Sequence, residues 1–312
     1  GSAVRFGVKP CDDKNIQSLL SAQTDVVAIF GKAWDLHVTE ILKISLEDNL
    51  RIIQETLAFL KEQGKEIIFD AEHFFDGYKN NGNYAIKALH AAVEGGASTL
   101  CLCDTNGGCL PNEIEAITKS VAAAFPNTKI GINCHDDSGC AVANSIAAVY
   151  GGALQVQGTL IGFGERCGNA DLSSIMANLT FKCGCDCGVR LEELKSTARK
   201  IAEISNVRIR NNQPYVGKSA FAHKGGMHID GVQKLSASFE HIDPALVGNE
   251  RKFLLSEVSG RGTVLPRIQR FAPHLTKQSP ETVKITEELK EREYYGYQYE
   301  GADASFELFV KK

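Results

Sequence analysis

The sequence predicts an α/β protein: a (β/α)8 TIM-type barrel lacking its first two βα units, followed by a mainly helical subdomain. Three observations predict it. Short apolar runs alternate with helical patterns up to about residue 190, the signature of βαβ units and a parallel sheet. Polar and ionisable residues follow several successive runs, as in Asp70-Ala-Glu72-His73, Asp104-Thr105-Asn106, His135-Asp136-Asp137 and Gly164-Glu165-Arg166. No glycine-rich phosphate loop follows the first run, where a doubly wound open sheet usually carries one.

The strand-like runs are residues 4–8, 26–30, 67–71, 99–103, 130–133 and 154–157. They are nearly continuous in apolar character, as expected when both faces of a parallel sheet are covered. Residues 49–60 carry Leu50, Ile52, Ile53, Leu57 and Leu60 as one apolar helical stripe, and 84–93, 113–124 and 141–149 repeat the pattern. Six units suit an open sheet by number. The spread of polar residues over several strand ends favours the barrel, whose chemistry is assembled from all the loops on one face.

Beyond about residue 190 the pattern changes. Residues 191–204 read as an amphipathic helix, and His223-Lys-Gly-Gly-Met-His228 as a loop that closes over something or a glycine-rich structural turn. Residues 294–312 alternate like a strand and read as the start of a further, truncated domain. The expected division is a partial barrel over 1–188, a helical subdomain over 189–293, and the opening of a regulatory-type domain over 294–312.

Composition narrows the class. Among 312 residues, 34 Lys and Arg against 38 Asp and Glu leave a charge of −4, which argues against a binder of nucleic-acid phosphates. No apolar run of about 18 residues exists to span a membrane, and the opening residues lack a signal peptide's build. A soluble, cytoplasmic protein is expected. In that setting the ten cysteines read as reduced thiols, and Cys183-Gly-Cys185-Asp-Cys187 lacks the second pair that a zinc site would need.

Read from residue types alone, His135 with Asp136 and Asp137 offers nitrogen and oxygen ligands to a divalent metal, or a polar start that caps the next helix. Glu72 and His73 form a candidate acid–base pair, or a surface turn. Glu165 and Arg166 either border a ligand or brace each other, and Trp34 beside His37 reads as packing at a barrel rim.

Several motifs together carry a resemblance. Phe69-Asp-Ala-Glu-His-Phe-Phe-Asp-Gly-Tyr78, Cys103-Asp-Thr-Asn-Gly-Gly108, Ala141-Val-Ala-Asn-Ser-Ile-Ala-Ala148, Gln155-Val-Gln-Gly158 and Gly164-Glu-Arg-Cys-Gly-Asn169 resemble the 2-isopropylmalate, homocitrate and citramalate synthases. Tyr215-Val-Gly-Lys-Ser-Ala-Phe-Ala-His-Lys-Gly-Gly-Met-His228, Glu240-His-Ile-Asp-Pro244, Val247-Gly-Asn249, Ser259-Gly-Arg261 and the ending from Tyr297 to Leu308 point to the citramalate synthase branch.

The resemblance implies a metal-assisted condensation of acetyl-CoA with an α-keto acid, pyruvate giving citramalate, followed by thioester hydrolysis. It implies a divalent cation (Mn, Zn or Mg), small-molecule substrates and a homodimer. It makes Glu72 and His228 catalytic, Thr105, Asp104 and Arg166 substrate-binding, and His135, Asn133 and Asn169 metal-associated. The family's His-x-His-Asn-Asp motif reads Asn133-Cys134-His135-Asp136-Asp137 here, its tyrosine before Glu240 is Phe239, and its Arg-Asp-Gly strand is absent. This chain is therefore expected to be an incomplete, inactive portion. The alternatives are a 2-isopropylmalate synthase-like enzyme using 2-oxoisovalerate, and a non-catalytic remnant or partner subunit of the same fold.

Overall fold

Five parallel strands stand in the order in which the chain makes them, with no reversal, in a computed structural model that describes residues 1–254, 260–299 and 302–312. Consecutive order is the arrangement of a barrel wall, whereas a doubly wound sheet reverses at its switch point. The first elements are α1 (Lys14–Ser21), β1 (Val26–Lys32), a π-helical turn at His37–Leu42, α2 (Leu46–Glu62) and β2 (Glu66–Glu72). Then come α3 (Phe74–Glu94), β3 (Thr99–Asp104), α4 (Pro111–Ala124), β4 (Lys129–Cys134), α5 (Ala141–Tyr150), β5 (Gln155–Gln157) and α6 (Leu172–Phe181).

The two faces of the sheet differ. Val27 and Ile29 of β1 and Ile67, Phe69 and Ala71 of β2 are buried, as are Ile53, Leu57 and Leu60 of α2. Burying those side chains on both elements stabilises the layer by ~1.5–3 kcal/mol for each large one. The alternate residues Ala28, Asp70 and Glu72 are only half-buried. In-register pairs place Phe30 beside Asp70, Lys32 beside Glu72, and Asn133 beside Gln157. The second face therefore carries the polar residues, and period-2 alternation puts them there together.

Caps fix where the helices begin. The Ser45 hydroxyl accepts from Asp48 N at 3.0 Å to start α2. Asp136 Oδ1 accepts from Ala141 N at 2.9 Å at the start of α5, so the capping role read from the sequence holds for this residue.

The expected strand at residues 4–8 does not form. Gly1–Ala3 instead lie along β1, with Phe30 N donating to Gly1 O and Ala3 N to Phe30 O, both at 2.9 Å. Val8 N then donates back to Arg5 O at 3.0 Å, and a 3-10 turn opens at Pro10. A tight turn and a proline outweigh the apolar character of Val4, Phe6 and Val8.

By its contacts the chain divides into two compact units, Gly1–Ile175 and Met176–Lys312, with the divide inside α6. The second unit holds α7 (Leu194–Ile204), β6 (Ala222–His223), α8 (Gly226–Lys234), β7 (Lys252–Phe253), α9 (Arg261–Gln269), α10 (Pro280–Tyr294) and α11 (Asp303–Lys311). β6 and β7 form a short parallel pair. The end of the chain, expected as a strand opening another domain, is the helix α11. Phe306 and Phe309 fall three apart on one face and join Val264, Ile268, Leu289 and Tyr299 in a core, while Leu308 faces out. Helical spacing wins over the apparent alternation because it buries both phenylalanines. Part of the Ser259-Gly-Arg261 motif and of the ending from Tyr297 lies outside the described residues.

Candidate active site

The polar face of the first unit is densest where β1 to β4 end. Lys32 closes β1 and pairs with Glu72, which closes β2. Both side chains are about four-fifths buried, so each charge is balanced by the other rather than left alone in a poorly solvated place.

His73, next in the chain, turns elsewhere. It takes a left-handed conformation (φ 56°), its N–H donates to Thr105 Oγ1 at 2.8 Å, and its Nδ1 lies 3.1 Å from Asp76 Oδ2. Asp76 also accepts from Asn106 Nδ2 at 3.0 Å. The acid–base pair read from Glu72-His73 is thus divided: the carboxylate meets Lys32 and the imidazole meets Asp76.

Asp104, at the end of β3, is fully buried and accepts from Gly108 N and Cys109 N, each at 3.3 Å. Burial raises its pKa, and those two N–H groups oppose the rise. Its carboxylate shapes the turn that carries Thr105 through these two backbone groups. Gly107 inside that turn has φ 62°, and a Cβ there would lie 2.6 Å from Asp137 Oδ2 and 2.8 Å from His135 O. Glycine is required for both reasons.

Arg166 reaches this turn. Nε and Nη2 donate to the two oxygens of Asp137 at 2.8 Å, and Nη2 also donates to Thr105 O at 2.7 Å. Glu165, the partner suggested by adjacency, is 3.8 Å away. Bidentate binding holds the guanidinium in one plane. The Thr105 hydroxyl accepts from His73 N and keeps its own proton to donate.

His135 is bridged to Asn169 through the backbone, and its Nδ1 is buried with no hydrogen-bond partner. Burial, then the charge of Arg166, lowers its pKa, which favours neutral imidazole. Asn169 Nδ2 donates to Phe163 O at 3.2 Å. Asn133 Nδ2 donates to Gln157 Oε1 at 2.9 Å, and Gln157 Nε2 donates to Asp70 Oδ1 at 2.7 Å, so a chain of hydrogen bonds runs from β4 through β5 to β2.

One imidazole and two amides, which are bonded through Nδ2 and offer only a neutral oxygen each with no carboxylate among them, do not fit a divalent cation. Among the described residues no group of three or more His, Cys, Asp or Glu is placed to hold one. The same holds for Cys183, Cys185 and Cys187, which form no disulfide.

Lys32, Asp76, Gln157 and His37 were not singled out from sequence as site residues. Gln157 had a signal as the polar end of the strand-like run 154–157, whereas Lys32 lies two residues past the run read at 26–30. Trp34 does pack at the rim, its ring 5.1 Å from His37, whose ring lies 4.2 Å from His73. Seven of the expected site residues (Glu72, Asp104, Thr105, Asn133, His135, Arg166 and Asn169) lie in the first unit, and hydrogen bonds or backbone pairing link most of them. His228 lies in the second unit, on α8 rather than in a loop, stacked on Phe239 with ring centroids 4.3 Å apart.

A parallel barrel wall with carboxylate, hydroxyl, guanidinium and imidazole groups at its strand ends defines a TIM-barrel protein. The HMGL-like family model matches residues 6–201, and a model described as homocitrate synthase post-HMGL domain-like matches residues 215–294. The chain belongs to the HMGL-like family.

It is 50% identical to an (R)-citramalate synthase of Aquifex aeolicus and 47% identical to one of Geobacter sulfurreducens, each over all of this chain. It covers 60% and 59% of those two proteins, so it spans about three-fifths of the length of the curated relatives it matches. A probable 2-isopropylmalate synthase of Methanopyrus kandleri is 32% identical, over 92% of this chain and 57% of that protein. Among solved structures, hydroxymethylglutaryl-CoA lyase of Pseudomonas aeruginosa matches with a TM-score of 0.56 and 18% identity, over 66% of this chain and 69% of that one, and shares the fold. Among the described residues no helix is long and apolar enough to cross a membrane.

Proposed function

We propose that the protein carrying this chain condenses acetyl-CoA with an α-keto acid, pyruvate to give citramalate, in the cytoplasm and as a homodimer. The observation that carries this reading is the 50% identity with an (R)-citramalate synthase along the whole chain, joined to polar groups clustered at the strand ends.

Glu72 is assigned the proton taken from the acetyl methyl group; the carbanion so formed attacks the keto carbon, and the alkoxide left on the keto oxygen takes up a proton to become the hydroxyl. A carboxylate close to its partner but reachable from solvent suits a general base. Thr105 is assigned the keto acid's carboxylate, because its hydroxyl has a proton to donate while His73 N–H holds its oxygen in place. Asp104 sets the turn, and Arg166 holds it from the outside. His228 is assigned a catalytic part by the resemblance. Water then cleaves the thioester, releasing CoA. The resemblance also implies a divalent metal; Asn133, His135 and Asn169 as they stand do not make its site, and no step is derived through it.

The test is release of free CoA by the protein carrying this chain, followed with a thiol reagent, when pyruvate, 2-oxobutyrate and 2-oxoisovalerate are offered in turn. Fastest release with pyruvate supports the reading. Fastest release with 2-oxoisovalerate supports the 2-isopropylmalate synthase-like alternative, which the Methanopyrus kandleri relative favours. No release with any acceptor supports a non-catalytic member of the family.

A further inference from the structure

The second unit contains a cleft of about 1060 Å³ beside α7 and the segment that follows it. Lys195, Arg199, Arg208, Lys218 and Lys252 line it, against Glu203 and Glu250. Five cations to two carboxylates is an imbalance in a chain whose net charge is −4. The two carboxylates are already engaged, Glu203 with Arg199 at 3.8 Å and Glu250 with Lys252 at 3.3 Å. Lys195 donates to the neutral Asn249 Oδ1 at 2.8 Å. Arg208 and Lys218 have no carboxylate partner among the described residues. Burial lowers the pKa of Lys195; Lys252 and Arg199 reinforce the shift and Glu250 opposes it. Like charges held together in a concave place raise the local concentration of anions. Ala202 and Val216, both buried, and the exposed Val207 give the same cleft an apolar wall.

We propose that this cleft binds a diphosphate group, carried by a nucleotide whose flat base rests on the apolar wall. Guanidinium and ammonium groups are the side chains that recognise phosphate oxygens. The volume exceeds what one phosphate fills and suits a small molecule of nucleotide size. The inference is independent of the condensation chemistry, because none of the cleft residues is given a part in it.

The experiment is calorimetric titration of the chain at low salt with ADP, inorganic pyrophosphate and adenosine, repeated with the double variant Arg208→Glu, Lys218→Glu and with Lys218→Arg. ADP and pyrophosphate are expected to bind, adenosine not, with affinity falling as salt is added. The double charge reversal should weaken ADP at least tenfold, while Lys218→Arg keeps it within threefold. ADP at least tenfold tighter than pyrophosphate assigns the nucleotide as the source; equal affinities assign free diphosphate. Absence of ADP and pyrophosphate binding, or equal affinity in the charge-reversed variant, overturns the proposal. Arg208 and Lys218 are exposed, and retained circular dichroism in both variants separates loss of binding from loss of fold.

Discussion

Arg166 grips Asp137 through two hydrogen bonds of 2.8 Å, although the two residues stand 29 positions apart. The pair joins the segment after β5 to the end of β4 and, through Thr105 O, to the end of β3. Arg166 pulls the pKa of Asp137 below its ordinary value of 3.8. A carboxylate lowered in this way adds stability that is present above that value and lost as pH falls through the folded pKa. Arg166→Ala should move the Asp137 midpoint up toward 3.8 in a carbon-detected NMR titration. It should also speed amide exchange around Gly107 and Gly168. A midpoint that does not move would contradict the pairing.

Asp70 shifts the other way. Burial raises its pKa, and the hydrogen bond from Gln157 opposes the rise without cancelling it. The folded state then holds this proton more tightly than the unfolded chain. Stability from this group is greatest below pH 3.8 and declines as pH rises from there to the folded pKa. Asp70→Asn keeps an oxygen for Gln157 and removes the charge. Its melting temperature should exceed that of the natural chain at pH 7, with the difference shrinking toward pH 3.5. Equal melting temperatures at pH 7 would count against the buried charge.

Gly77 seats α3 against the loop after β1. A Cβ there would lie 2.5 Å from Ala33 O and 3.0 Å from Trp34 Cα, both backbone atoms that have no rotamer to change. Gly77→Ala should destabilise the chain by roughly 1–3 kcal/mol in urea unfolding. Trp34 is the single tryptophan, so a shift of its emission maximum reports the displaced loop. Unchanged stability and emission would show that the contact is looser than described.

Much of this was legible in the sequence. The runs that became β1 to β5 were read within a few residues, because parallel strands covered on both faces stay apolar throughout. Residues 4–8 and 303–311 misled for one reason: short apolar stretches look alike in strand and helix, and what decides is the core available to them. Strand-end position flagged Glu72, Thr105 and His135, but partners were hidden. Glu165 adjoins Arg166 in sequence, yet the better geometry lies with Asp137. Nothing local announces Gln157 and Asp70, which are 87 residues apart. His228 was read in a loop because Gly225 and Gly226 precede it, and α8 begins at the second of these.

The donor set around His135 yields a prediction about metal. With Asn133 offering only a neutral amide oxygen and no group of three or more acidic, histidine or cysteine ligands among the described residues, this 312-residue chain should bind zinc weakly and release no CoA by itself. Asn133→His should raise zinc affinity by at least about tenfold, the low end even for changes outside the ligand set. Calorimetry with zinc alone reads it. An unchanged affinity would remove Asn133 from any metal role.

The most direct test of the account is the exchange of the methyl protons of acetyl-CoA in deuterated water, with pyruvate present, by the protein carrying this chain and by its Glu72→Gln variant. Glu72 as the base predicts pyruvate-dependent exchange and citramalate formation, both reduced by about 10²–10⁴-fold in the variant. Exchange and product formation that persist within twofold in Glu72→Gln would contradict it.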